Sequence, residues 1–65
     1  MFQVGDLVRI SALGDNPTHW AELSFKYGWV YLVIDEPDPE STWFWGQRVS
    51  NGQDYCLTIE RTKKV

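Results

Sequence analysis

The chain has 65 residues, nine acidic and six basic side chains, a net charge of −3 and one cysteine. That length allows a single domain, which buries only about 60% of the surface its unfolded form exposes, and the lone Cys56 excludes an intrachain disulfide as reinforcement. The negative balance argues against non-specific nucleic-acid binding, which depends on cations meeting phosphates. With no basic and apolar leader and no apolar run of membrane-spanning length, the protein is expected to be soluble and cytoplasmic.

Val4-Gly5-Asp6-Leu7-Val8-Arg9-Ile10 reads as a turn followed by a first strand, with Val8 and Ile10 on one face. Ser11 to Trp20 holds Gly14, Asp15, Asn16 and Pro17, all turn formers, and is expected to be a long surface loop. Pro17 also allows a short helical turn through Trp20 and Glu22, since proline is tolerated at the first helical position. Glu22 to Gly28 closes the loop with a bend at Gly28. Val30 to Ile34, rich in β-branched and aromatic residues, is a buried second strand. The run Asp35-Glu36-Pro37-Asp38-Pro39-Glu40 ends it, because its four carboxylates resist burial and its two prolines lack the donors a ladder needs. Arg61, Lys63 and Lys64 crowd the other end, so the molecule is dipolar.

Trp43-Phe44-Trp45-Gly46 places three bulky rings in succession, and successive strand side chains point to opposite faces, so at least one ring must face outward. Asn51-Gly52 is a strong hairpin signal between strands Thr42 to Val49 and Gln53 to Ile59. A two-residue loop pairs Ser50 with Gln53, Arg48 with Tyr55, Gly46 with Leu57 and Phe44 with Ile59. This puts Phe44, Tyr55, Leu57 and Ile59 on the core side and leaves Trp43 and Trp45 on the wetter side. Glu60 to Val65 is a short closing strand or a frayed end. The expected interior is Val8, Ile10, Leu23, Phe25, Val30, Leu32, Phe44, Leu57 and Ile59, and strands at short spacing with almost no helix indicate a small all-β barrel.

Two motifs add a family resemblance. Glu22-Leu23-Ser24-Phe25-Lys26-x-Gly28 resembles the segment after the long first loop of Src-homology-3 domains, and Trp43-Phe44-Trp45-Gly46 is similar to that family's paired-aromatic strand with its following small residue. The resemblance spans roughly Leu7 to Ile59 and implies an all-β, five-stranded Src-homology-3-like barrel. It also implies a ligand position at Trp43. The family's other ligand positions are replaced: the first strand reads Leu7-Val8-Arg9-Ile10, and Tyr55, Thr58 and Arg61 stand where a glycine, a proline and a tyrosine are usual. Binding of proline-rich peptides in the usual mode is therefore not implied. Val4-Gly5-Asp6-x-Val8-Arg9 also resembles the first strand of bacterial and organellar proteins that share the barrel, ribosomal and transcription-factor modules among them.

No catalytic constellation is present in the sequence. His19 is the single histidine and has no partner at a productive spacing, Cys56 reads as a small strand residue, and the acidic run lacks the ligand spacing and central glycine of a calcium loop. No cofactor, metal or catalytic residue is assigned. The expected function is a non-catalytic protein-interaction module or accessory subunit. Its partner surface comprises Trp43, Trp45, Trp20, Asp15, Glu36 and Asp38, and the partner is a protein or peptide presenting apolar and basic groups. Self-association through the tryptophan face is open. The rival is a nucleic-acid or ribonucleoprotein-associated barrel in which aromatic rings stack bases and Arg48, Arg61, Lys63 and Lys64 meet phosphates; the acidic loop beside Trp43 opposes it.

Overall fold

A computed structural model describes residues 2–65. Five strands, β1 (Leu7–Ile10), β2 (Val30–Val33), β3 (Trp43–Arg48), β4 (Asp54–Thr58) and β5 (Thr62–Lys64), form one antiparallel sheet in the order β4-β3-β2-β1-β5. One helix, α1 (His19–Tyr27), is inserted between β1 and β2, and a 3-10 turn (Ile59–Arg61) joins β4 to β5. The all-β expectation holds in its coarse form.

The sheet's two edge strands are consecutive in the chain, and this forces it to curl. Four inter-strand spacings in a flat sheet would separate β4 from β5 by about 19 Å, whereas a three-residue 3-10 turn advances only about 6 Å. Thr58, paired with Trp43, and Thr62, paired with Ile10, are instead close enough for the Thr62 hydroxyl to donate to the Thr58 carbonyl at 2.7 Å. The edges meet at that end without forming a ladder with each other, among the described residues.

The interior consists of Phe2, Val8, Ile10, Tyr31, Val33, Phe44 and Leu57, with Trp20, Ala21, Trp29, Tyr55 and Ile59 packed around it. Four of the expected interior residues, Val8, Ile10, Phe44 and Leu57, are buried there. In β2 the faces are reversed from expectation: Tyr31 and Val33 are inside and Val30 and Leu32 are half-buried. The strand is apolar at every position, so alternation carries no sign. Its register sets the face, with Tyr31 between Val8 of β1 and Arg48 of β3.

The hairpin also differs from expectation, by two residues. Phe44 faces Leu57, Trp45 faces Cys56 and Gly46 faces Tyr55. A four-residue loop from Val49 to Gly52 is closed by Arg48 N–H to Gln53 C=O at 2.9 Å. Within this loop only Gly52 has positive φ, +70°, so the two-residue turn that needs two such residues does not form. A shift of two preserves the faces, whereas a shift of one would have inverted them.

The helix α1 runs on to Tyr27, beyond the short turn through Trp20 and Glu22 that Pro17 allows, and includes the segment Glu22 to Lys26 expected only to close the loop. Thr18 is the extended N-cap, its C=O accepting from Glu22 N–H, and Glu22 and Lys26 place opposite charges at the ends that the helix dipole favours. Gly28, at φ +67°, ends the helix in the left-handed conformation while its N–H reaches Ser24 C=O. Trp20, Ala21 and Ser24 face the sheet, Leu23 is half-buried, and Phe25, expected inside, is 44% exposed. Serine at the most buried position hides the helix's apolar stripe from a sequence reading.

Candidate functional site

Trp43 and Trp45 occupy alternate positions of β3 and so share its outer face, while Phe44 between them is buried at 5.1 Å from the Phe2 ring. The two indoles are 47% and 41% exposed and meet edge to face, with centroids 5.8 Å apart and planes at 87°. The loop after β2 folds back beside them. Ile34 N–H donates to Trp45 C=O at 3.3 Å, Ser41 N–H donates to Asp38 C=O at 2.9 Å, and Pro37 is buried. Together these residues form a groove of about 170 Å³, lined by Asp35, Glu36, Pro37, Asp38, Ser41 and the Trp43-Phe44-Trp45 strand.

This groove gathers four of the six expected site residues, Trp43, Trp45, Glu36 and Asp38, and adds Asp35, Pro37 and Ser41. It does not include Trp20 or Asp15. Trp20 lies on the other face of the hairpin, its ring 4.9 Å from Tyr55, and Asp15 is an exposed bend residue lining neither this groove nor the one beside Trp20. Asp35, Glu36 and Asp38 have no basic partner in an ion pair among the described residues. An indole pair offers apolar area and ring faces that attract cations, and unpaired carboxylates at its border favour the same sign of ligand.

The positive charges are arranged differently from the rival expectation. Arg48 is only 7% exposed, and its guanidinium lies 4.2 Å from the centre of the Trp29 ring and 4.3 Å from that of Tyr55. Nε and Nη2 donate to the Tyr31 hydroxyl, and Nη2 also reaches Ser24 Oγ at 3.3 Å. An arginine held in this way inside the fold is not available to a phosphate. Lys64 is engaged by Asp6 at 3.4 Å, which leaves Arg61 and Lys63 exposed. The Gln3 N–H donated to Asp6, together with Lys64, holds the Asp6 carboxyl below its ordinary pKa.

His19 is the exposed first residue of α1, and Cys56 is an exposed free thiol on β4. No group of three or more His, Cys, Asp or Glu side chains is placed to share a metal ion among the described residues. No helix among the described residues is long and apolar enough to cross a membrane. Comparison with protein-family models, with curated proteins and with solved structures finds no match to this chain.

Proposed function

We propose that this domain is a non-catalytic, cytoplasmic interaction module that binds a protein or peptide through Trp43 and Trp45. The observation that carries the reading is the groove in which two half-exposed, mutually perpendicular indoles stand beside three carboxylates that have no ion-pair partner among the described residues. Burying two such rings removes a large apolar area from water at little cost in side-chain entropy, which is how tryptophan dominates interfaces. The carboxylates of Asp35, Glu36 and Asp38 give the partner its sign: apolar groups flanked by arginine or lysine.

The fold reading that accompanies this is a small Src-homology-3-like barrel. It is supported by the strand order β4-β3-β2-β1-β5, by the curl that brings β4 and β5 together, and by the paired aromatics of β3. The helical state of Glu22 to Lys26 is a departure within the other motif. Comparing what the parent protein and a Trp43→Ser/Trp45→Ser variant capture from the same lysate tests the function. A partner retained only by the parent is expected, and identical capture by both removes the groove from consideration.

A further inference from the structure

We propose that the outer edge of β4 is a second binding site, one that accepts an extended peptide carrying an acidic side chain as an added strand. The ladder with β3 determines which backbone groups remain available. Arg48 N–H donates to Gln53 C=O at one end, and Ile59 N–H donates to Thr42 C=O at the other, both at 2.9 Å. With Phe44 opposite Leu57 and Gly46 opposite Tyr55, the alternation of antiparallel pairs turns the N–H and C=O of Tyr55 and Leu57 toward β3. Those of Asp54, Cys56 and Thr58 turn outward. The Thr58 carbonyl is taken by the Thr62 hydroxyl, but the N–H and C=O of Cys56 face no neighbouring strand, because β4 ends the sheet.

This edge opens onto a groove of about 230 Å³, lined by Cys56 and Leu57 of β4, Ile10 of β1, Pro17 and Trp20 at the entry to α1, and Arg61. Loop and helix residues share the groove with β4, so a segment laid along it meets side chains of β1 and α1 as well as the β4 edge. Arg61 packs close against Gly14, where an added Cβ would stand 2.7 Å from Cζ, and it has no carboxylate partner among the described residues. An extended peptide sends alternate side chains to opposite sides, so apolar residues can meet Trp20 and Ile10 while a glutamate or aspartate meets Arg61. The site shares no residue with the Trp43 and Trp45 groove and prefers the opposite charge, so each can fail without the other.

The test uses ¹⁵N-labelled protein and two synthetic peptides, one alternating valine with glutamate and one alternating valine with lysine. The glutamate peptide is expected to shift the Cys56 amide resonance and slow its hydrogen exchange. Arg61→Glu is expected to weaken that peptide about fivefold or more and to favour the lysine peptide instead. Cys56→Pro removes the outward donor at a position where an edge strand tolerates proline, and it is expected to abolish binding while circular dichroism reports an intact fold. If Cys56→Pro does not fold, the Arg61→Glu exchange of peptide preference decides. Absence of Cys56 protection with either peptide, equal preference in Arg61→Glu, or shifts confined to Trp43 and Trp45 would overturn the proposal. So would Cys56 protection that rises with protein concentration alone, since the edge would then belong to a second copy of the chain.

Discussion

Arg48 donates twice to one oxygen of Tyr31, through Nη2 at 2.9 Å and Nε at 3.1 Å, inside the fold and with no carboxylate in the contact. Two acceptor positions of the phenol are thereby filled, so the Tyr31 proton goes to Ser24 Oγ. The three residues come from β3, β2 and α1, and the contact fastens the helix to the sheet. The charge is balanced by oxygen lone pairs and by the ring faces of Trp29 and Tyr55 rather than by an anion.

Removing the acceptor should therefore hurt more than removing the cation. Tyr31→Phe leaves a buried guanidinium without its main partner and is expected to lose about 1–3 kcal/mol. Arg48→Met keeps the stem packing between the rings and leaves Tyr31 bonded to Ser24, so a change within about 1 kcal/mol is expected. Urea denaturation of the two variants checks the order; Arg48→Met as the less stable variant would contradict it.

Phe44 is 2% exposed and in contact with Phe2 at the centre of the interior. Phe44→Ala is expected to cost about 3–5 kcal/mol, comparable to the whole stability of a domain of this size. The expected result is the absence of a cooperative thermal transition above room temperature, measured by circular dichroism.

Trp43, one residue earlier, should behave in the opposite way. With its ring 47% exposed, Trp43→Ala is expected to change stability by no more than about 1 kcal/mol. Thermal melts of the parent and the variant should nearly coincide, and any deficit should appear in partner capture.

Asp6 supplies the pH dependence. Its pKa is lowered in the folded state, first by the Gln3 N–H and then by Lys64, so the stabilisation is present above the ordinary carboxylate range and is lost as pH falls through the lowered folded value. Asp6→Asn should be less stable than the parent at pH 7, and the gap should close as pH drops below about 4. A gap that stays constant over that range, measured by urea denaturation at each pH, would show that the carboxylate charge is not involved.

How far the fold could be read from the residues depends on whether their pattern carried a phase. In the β3–β4 hairpin it did: along β4 Asp54, Cys56 and Thr58 alternate with Tyr55 and Leu57, and even a two-residue error in register left Phe44 inside and Trp43 and Trp45 outside. In β2 every position from Val30 to Val33 suits a core, and only the tertiary roles of the Tyr31 hydroxyl selected its face. Pro17 allowed the helical turn through Trp20 and Glu22, but its continuation to Tyr27 was not legible because the deepest residue of α1 is Ser24, whose polarity serves Tyr31 and Arg48. Arg48 had the parity of Phe44 and Gly46, but charged side chains are so rarely buried that parity alone was no argument for it. For the site, the nearness of the acidic run to Trp43 was legible from the chain. The separation of Trp20 from Trp45 was not, since it follows from which side of the hairpin α1 crosses.

A titration of ¹⁵N-labelled protein that reads the indole N–H resonances of its four tryptophans tests whether Trp43 and Trp45 form the binding surface. Two probes in one buffer series are compared, an arginine-rich peptide containing leucine and a single-stranded RNA, at low salt and near physiological salt, where the Debye length is about 8 Å. The peptide is expected to move the Trp43 and Trp45 signals, to bind more weakly as salt rises, and to lose most of that salt dependence in Asp35→Asn/Glu36→Gln/Asp38→Asn. Tight, salt-sensitive binding of the RNA, with the peptide leaving Trp43 and Trp45 unmoved, would contradict an interaction surface built from these two indoles and the acidic loop.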